Sequence, residues 1–410
     1  MKPSRVSILY FDNARIRAGV EEHILVLLRG LDRKCFRLLL ACTPELAEKM
    51  RTDVPRDVEI IPLRLEGARD LTGAWRLARL VRERRPDVLH THLFQASRLA
   101  SPLAWLCGVP LVVETPHLRE EWRKGWLQGS FVIDRLAGRF VDYYIAVSEA
   151  NAHYLKNEKG LPARKIVTIQ NGGDLARFDP ARVPPAGMKR NLGFSEDDPV
   201  VVVLARLEPQ KGHDVLLQAW PAVMRKFPSV RLVCVGEGAS RAELEALAGS
   251  LGLEGSVRFV GYQSNPADWL ALAHFTVLPS RFEGLPIAAI ESLAMGKSMV
   301  ATDVDGTGEV VINGKTGVTV PPGQPGRLAE AVCLLLADPD LRQRLGEAGR
   351  AWVVQRFSQE RQVQMTAEFY LRALRRSVSA GEGDEPTQAK VEECACAGTP
   401  VPAERLASGK

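Results

Sequence analysis

Ser280-Arg281-Phe282-Glu283-Gly284-Leu285-Pro286-Ile287-Ala288-Ala289-Ile290-Glu291-Ser292-Leu293-Ala294-Met295-Gly296 follows an apolar run, Thr276 to Pro279, and reads as a strand, a loop and a helix. Gly284 suits the turn, Pro286 is tolerated in the first helical turn, and Gly296 supplies a C-cap. Glu283 falls in the loop and Glu291 on the helix, up to about 12 Å further along its axis at ~1.5 Å per residue. The two acids therefore cannot act as one dyad. A carboxylate accepts hydrogen bonds from two adjacent hydroxyls, so Glu291 suits a ribose diol and Glu283 suits sugar hydroxyls. The backbone amides of Gly284, Leu285 and the residues after them, at the positive end of the helix, suit a phosphate.

Outward from this segment the same unit repeats. Val6–Tyr10, Leu38–Ala41, Val58–Pro62, Val88–His90, Leu111–Glu114, Tyr144–Val147 and Ile166–Ile169 form a first set of short apolar runs between helical patterns. Val200–Ala205, Leu232–Gly236, Val257–Val260, Thr276–Pro279, Met299–Thr302 and Val318–Val320 form a second. Continuously apolar strands alternating with helices predict parallel sheets covered on both faces. The fold class is thus α/β, with two Rossmann-like, doubly wound domains that face a ligand cleft at the carboxyl ends of their strands. The stretch from Phe178 to Pro199, with Pro184-Pro185, Gly187 and Gly193, is the expected linker. This places the domains at residues 1–185 and 186–358, followed by a last helix over 359–376. Residues 377–410 are poor in large apolar side chains and are expected to be disordered.

Composition excludes several classes. With 46% hydrophobic and 25% charged residues the chain is ordinary for a globular protein, and a net charge of +5 is too small to imply nucleic acid. The start runs straight into a strand without a signal-peptide core, which predicts a cytoplasmic protein. The most apolar stretch, Ser101 to Val113, is broken by Gly108 and Pro110 and is too short to span a bilayer. Seven scattered cysteines read as reduced thiols. Up to residue 185 there are 30 basic against 22 acidic residues, and beyond it 24 against 27, so the first half presents the basic surface. Trp122-Arg123-Lys124-Gly125-Trp126 mixes tryptophan with cations, a composition suited to an acceptor loop or to the membrane interface on the cytoplasmic side.

Ala205-Arg206-Leu207-Glu208-Pro209-Gln210-Lys211-Gly212 leaves the first strand of the second set and opens a helix. Arg206 can fork onto phosphate oxygens and Lys211 can add a point charge. Asp303-Val304-Asp305 resembles an Asp-x-Asp metal signature, but these cations already offset a diphosphate, and no His or Cys cluster of ligand spacing is visible. No metal and no cofactor are expected.

The Arg206–Lys211 pair, the Glu283–Glu291 segment, Val235-Gly236-Glu237-Gly238, and Asn171-Gly172-Gly173-Asp174 with Phe178 together resemble family 4 of the retaining GT-B glycosyltransferases. The resemblance spans roughly residues 5 to 375 and is densest from 165 to 325. It implies a nucleotide diphosphate sugar as donor, a glycan, lipid or lipid-linked acceptor, and a C-terminal helix that crosses back to the first domain. Arg206 and Lys211 would bind the diphosphate, Glu291 the ribose, and Glu283 the transferred sugar. Gly19 and Val20 match the family's Gly-Gly loop, with Ala18 in place of one glycine, while Glu22 and His23 are expected to face solvent on the helix that follows. His117 matches the cleft histidine and is the expected catalytic residue together with Glu283, Arg206 and Lys211. Of His90 and His92, at most one is expected to face the cleft; His92, Trp122 and Arg123 are assigned to the acceptor side. Asp305-Gly306-Thr307-Gly308-Glu309 occupies the place of a loop that usually reads Gly-Gly-x-Pro-Glu, so Asp305 and Gly308 are departures.

Overall fold

The computed structural model describes residues 5–15, 19–67, 70–120, 131–379 and 385–396. The chain divides into two compact units, residues 170–359 and the remainder on either side of them.

In the first unit β1 (Val6–Asp12), α1 (Gly19–Gly30), β2 (Phe36–Cys42), α2 (Pro44–Met50), β3 (Glu59–Pro62), α3 (Leu71–Arg84), β4 (Val88–His92), α4 (Phe94–Leu106), β5 (Leu111–Thr115), α5 (Phe131–Ala137), β6 (Tyr143–Ala146), α6 (Glu149–Asn157) and β7 (Ile166–Thr168) alternate along the chain. All seven strands pair in parallel, in the order β3-β2-β1-β4-β5-β6-β7. The winding direction reverses between β1 and β4, which opens a crevice at their carboxyl ends.

The second unit contains α7 (Met188–Asn191), β8 (Val200–Leu204), α8 (His213–Lys226), β9 (Arg231–Val235), α9 (Arg241–Ser250), β10 (Val257–Phe259), α10 (Pro266–Leu272), β11 (Phe275–Leu278), α11 (Ile287–Ala294), β12 (Met299–Thr302), α12 (Thr307–Val310), β13 (Val318–Val320), α13 (Pro325–Ala337) and α14 (Pro339–Arg356). Its sheet is also parallel, in the order β10-β9-β8-β11-β12-β13, with the reversal between β8 and β11. Two final helices, α15 (Gln359–Ser379) and α16 (Glu385–Cys396), belong to the first unit.

Strand alternation sorts the first unit's core into two layers. Ile8, Tyr10, Leu38 and Leu40 face α1, α2, α15 and α16. Leu9, Phe11, Leu39 and Leu89 face α3 and α4. The second layer continues under α5 and α6 through Phe131, Tyr144 and Tyr154.

Two expectations need correction. The boundary lies after Ile169 and not at 185, because the Gly172-Gly173 turn is built into the second unit. Gly173 N–H donates to Phe357 O at 2.9 Å and Gln359 N–H donates back to Gly173 O at 3.0 Å. A Cβ on Gly172 would stand 2.2 Å from Ser358 O, so no larger residue fits this strand-like crossing. The proline-rich stretch therefore lies within the second unit and carries the short helix Met188–Asn191.

The expected disorder of 377–410 also fails over 385–396, where α16 docks on the first unit. Val391 and Cys394 enter its core. Lys390 pairs with the buried carboxylate of Asp87 at 3.0 Å, and Thr387 donates to the same group at 3.0 Å. Few apolar side chains suffice because one polar partner is already waiting: Asp87 also accepts the Ser7 N–H at 2.7 Å. A chain ending at Ser379 is expected to melt roughly 4 °C or more below the full chain, since losing a largely buried ion pair and an apolar side chain costs on the order of 2 kcal/mol. Thermal unfolding followed by circular dichroism checks this; equal melting temperatures would show that α16 adds nothing.

Candidate functional site

In the second unit the charged residues singled out by sequence gather at the reversal between β8 and β11. The chain leaves β8 and turns through Pro209–Lys211 into α8, with Gly212 at φ +64°. A Cβ there would lie 2.1 Å from Pro279 O, so only glycine lets this loop seat against the end of β11. Gly236 does the same on the other side, where a Cβ would meet Ala205 O at 2.0 Å. The close approach has a direct consequence. Lys211 Nζ reaches Glu283 Oε1 at 2.6 Å, with the lysine side chain 15% and the carboxylate 4% exposed. Ser280 Oγ donates to the same oxygen at 2.6 Å.

Gln210 ties the two loops together, donating to Phe282 O at 2.9 Å while its carbonyl oxygen accepts from Arg206 Nη2 at 3.4 Å. Gly284 and Leu285 are buried just ahead of α11, whose first turn has no side-chain cap. Its leading amides are thus available at the positive end of the helix. Glu291 is half-buried within α11, on a different element from the Lys211–Glu283 pair.

Asp305 adopts φ +40°. That left-handed conformation explains why the resembling loop carries glycine there, and an aspartate is among the residues that tolerate it best. Its Oδ2 accepts the Glu283 N–H at 3.0 Å, so the departure from the family pattern fixes the backbone of the acidic loop. Glu309 braces: its Oε2 accepts from Gln170 Nε2 at 2.7 Å, and its carbonyl accepts from Trp352 Nε1 at 3.0 Å.

In the first unit the crevice at the ends of β1, β4 and β5 holds histidines. His92 Nδ1 and His117 Nε2 share a hydrogen bond of 2.9 Å. His23 stands edge-on to His117, with ring centroids 4.7 Å apart, and is buried. The expectation that His23 faces solvent is therefore wrong, whereas Glu22 is exposed. Residue 23 turns inward because α1 buries the stripe continued by Leu27.

His90 and His92 also correct a prediction, since residues two apart on a strand share a face. Both are buried with ring centroids 4.4 Å apart, and His90 bonds Tyr370 Oη at 2.5 Å and Thr115 Oγ1 at 2.7 Å. Leu93, immediately after β4, takes φ +67°, a strained backbone that ends the strand beside this cluster. Gly19 opens α1 with nothing within 4 Å of where a Cβ would be, and Val20 is half-buried next to it. Trp122 and Arg123 lie outside the described residues.

Sequence reasoning missed Gln362 and Tyr370 on α15. Gln362 Nε2 lies 2.9 Å from His23 Nδ1, and Tyr370 Oη lies 3.2 Å from Tyr10 Oη. No local signal could pair residues more than 250 positions apart.

His23, His92 and His117 each bring a ring nitrogen within 4.8 Å of the others, a set among the described residues that could hold a metal ion. Three elements supply one residue each, so the cluster has no ligand spacing in the sequence and no local pattern announces it. Zinc at about 2.0–2.1 Å from each nitrogen would have to break the His92–His117 hydrogen bond.

Burial holds His90, His92 and His117 well below the ordinary histidine range, so they are neutral at pH 7. Burial likewise raises the Glu114 carboxyl to about 7, against the opposing pull of Lys159. The signs of their pH linkage differ. Below about pH 6.5 the unfolded histidines bind protons that the folded ones refuse, so stability falls with acid. Glu114 takes up a proton more readily when folded and favours the folded state as pH falls from about 7. Three histidines outweigh one carboxyl, and a lower melting temperature at pH 5 than at pH 7 is expected. A rise on acidification would show that these imidazoles are not held neutral.

Two doubly wound units, each with polar side chains collected where its strand order reverses, and a C-terminal helix returning to the first, define the GT-B class of fold. The profile described as glycosyl transferases group 1 matches residues 187–352, and that of Glycosyltransferase Family 4 matches residues 17–177. A glycogen synthase of Mycobacterium tuberculosis is 32% identical over 300 residues, covering 71% of this chain and 70% of that protein. A D-inositol 3-phosphate glycosyltransferase of Thermobispora bispora is 31% identical over 329 residues, 75% of each chain. Among solved structures, Anabaena Alr3699/HepE in complex with UDP superposes with a TM-score of 0.76 at 21% identity, over 89% of this chain and 99% of that one. The chain belongs to the group 1, family 4 glycosyltransferases.

Proposed function

We propose that this glycosyltransferase moves a hexosyl residue from a nucleotide diphosphate sugar onto a glycan, lipid or lipid-linked acceptor, with retention of configuration and without a metal, in cell-envelope glycan or glycolipid synthesis on the cytoplasmic side. The observation that carries the donor reading is the 2.6 Å contact between Lys211 and Glu283. A cation for the diphosphate and an acid for the sugar hydroxyls stand side by side, as the two halves of a sugar phosphate do.

Departure of the nucleoside diphosphate leaves an oxocarbenium-like sugar and new negative charge on the phosphate. Arg206, Lys211 and the amides of Gly284 and Leu285 answer that charge, and Gly19 and Val20 keep the donor-binding role that the resemblance implies for their loop. Glu291 takes the ribose diol. Glu283 is paired with Lys211 and held by Ser280, which suits it to orienting hydroxyls and not to nucleophilic attack. The acceptor oxygen then attacks from the leaving-group side and its proton passes to the departing phosphate. His117, neutral and oriented by His92, aligns the reacting groups; Trp122 and Arg123 are assigned to the acceptor.

Relatives differ in nucleotide: HepE is described with UDP, and a Mycolicibacterium smegmatis relative, 32% identical, is a GDP-mannose-dependent mannosyltransferase. Thermal shift against UDP, GDP, ADP and their sugars therefore comes first, since a ligand of the folded state raises its melting temperature by mass action. Acceptor-dependent release of the nucleoside diphosphate with an α-linked product from an α-linked donor supports the proposal. Conversion of donor alone into an epimer, a covalent glycosyl-enzyme, or binding without turnover would each overturn it.

A further inference from the structure

α3, α4 and α5 lie side by side on one face of the first unit's sheet, and their inward sides are already committed to its core. Leu77, Leu80 and Val81 of α3 and Ala96, Ala100 and Ala104 of α4 fill that layer, while Phe131 of α5 closes its neighbour. Their outward sides are nonetheless apolar. Among the described residues of this unit, every exposed large hydrophobic side chain sits on these three helices. Leu71 and Trp75 (59% exposed) project from α3, Trp105 (59%) and Leu106 (69%) from the end of α4, and Val132, Ile133 and Leu136 from α5. The Trp105 ring packs at 5.4 Å on Phe140, just beyond α5, which joins the α4 and α5 groups into one patch. A cluster of such exposed side chains costs solubility unless something covers it.

The charges around them are mainly basic, with Asp70 and the exposed Glu66 at the start of α3 and Asp70 facing Arg76. Arg76, Arg79 and Arg82 are exposed on α3, where the exposed acid Glu83 is taken up by Arg79 at 2.6 Å. Arg98 is the sole charged residue of α4 and is exposed. Arg135 and Arg139 are exposed in and after α5, while Asp134 turns inward to Lys159 at 2.8 Å. The opposite face differs in its apolar content: α2 exposes Glu45, Glu48 and Lys49 and α15 exposes Arg361, Arg372, Arg375 and Arg376, with no exposed large apolar side chain described among them.

We propose that the outer face of α3, α4 and α5 docks on an anionic lipid bilayer. Tryptophan, aliphatic side chains and an excess of arginine over acids are the composition that partitions into the headgroup region of a negatively charged leaflet. Among the described residues no helix is long and apolar enough to cross a membrane. The contact is thus peripheral: the aliphatic groups enter the acyl boundary and the arginines meet phosphates. It deepens the lipid-acceptor reading by naming the surface that meets the lipid. Its test needs no transfer assay, so its failure would leave the transferase proposal standing.

The full chain is sedimented with sucrose-loaded vesicles of phosphatidylcholine alone or mixed with phosphatidylglycerol, at low and high salt. Binding to the mixed vesicles is expected, with at least about tenfold weaker partition on neutral vesicles and a marked loss in salt. Trp105→Ser/Leu106→Ser and, separately, Arg76→Glu/Arg82→Glu should each lower partition about tenfold or more, with melting temperature and nucleotide affinity unchanged. The charge variant leaves the packing of Trp105 alone, so a folding defect in the first variant would not hide the answer. Wild-type protein that stays in the supernatant overturns the proposal, as do variants that still bind. So does a self-association, read by light scattering, that these substitutions abolish while vesicle binding persists.

Discussion

Lys211→Ala is expected to lower kcat/KM by roughly 10²–10³-fold or more, the range for removing a group that faces developing negative charge. The lysine ammonium has two tasks, and the variant separates them. In the proposed function it meets the donor phosphates, and in the structure it neutralises Glu283, whose carboxylate is nearly inaccessible to water. Removing it leaves that carboxylate buried beside Ser280, at a cost of about 3–5 kcal/mol for a fully buried pair, less here because the lysine is partly exposed. A lower melting temperature should therefore accompany the lost activity. The double variant Lys211→Ala/Glu283→Gln is expected to regain most of that stability, because a neutral amide replaces the stranded charge, and none of the turnover. Steady-state kinetics with thermal melts of both variants check this. Near-normal activity in Lys211→Ala would remove the diphosphate assignment, and recovery of activity in the double variant would show that only stability had been lost.

His117→Ala is expected to reduce kcat about a hundredfold or more, the lower end of what a positioned proton-handling or hydrogen-bonding side chain contributes, while the affinity for free nucleoside diphosphate stays within about twofold. The prediction rests on an imidazole that burial keeps neutral and that His92 holds through a 2.9 Å hydrogen bond. His92→Phe removes that hydrogen bond but retains a ring that can pack against Tyr10, 6.0 Å away, so it should show a smaller loss of kcat in the same direction. Kinetics at saturating donor, with nucleotide titrations by calorimetry, distinguish the two. If His117→Ala weakened nucleotide binding as much as kcat, the histidine would belong to the nucleotide site and not to the reacting centre.

The strands of both sheets were legible because each is a continuous apolar run bounded by turn residues. The acidic loop and the cationic loop were legible because each follows such a run and opens a helix. Residue type assigned Lys211 to phosphate and Glu283 to sugar hydroxyls, the family resemblance assigned both to one donor, and Gly212, whose missing side chain lets the cationic loop seat at the end of β11, brings the two into contact. The histidines were less legible. His117 stood out through its motif, but His23 looked like a solvent-facing residue, and His90 with His92 were misassigned by strand parity. The α16 helix was hidden in a polar segment because its stability comes from Asp87, about 300 residues away, and not from its own apolar content.

By itself the sequence determined the alternation of strand and helix, the two sheets, the chemical types at the nucleotide-sugar site and the family, since all of these depend on neighbours within a few residues. Only the tertiary structure decided which imidazoles meet, where the units divide, that α16 adds to α15 in covering the first sheet, and that the exposed large apolar side chains described in the first unit gather on three neighbouring helices. Those outcomes depend on contacts between residues far apart in the chain, and such contacts are set by how the sheets bring strand ends and helix faces together in space.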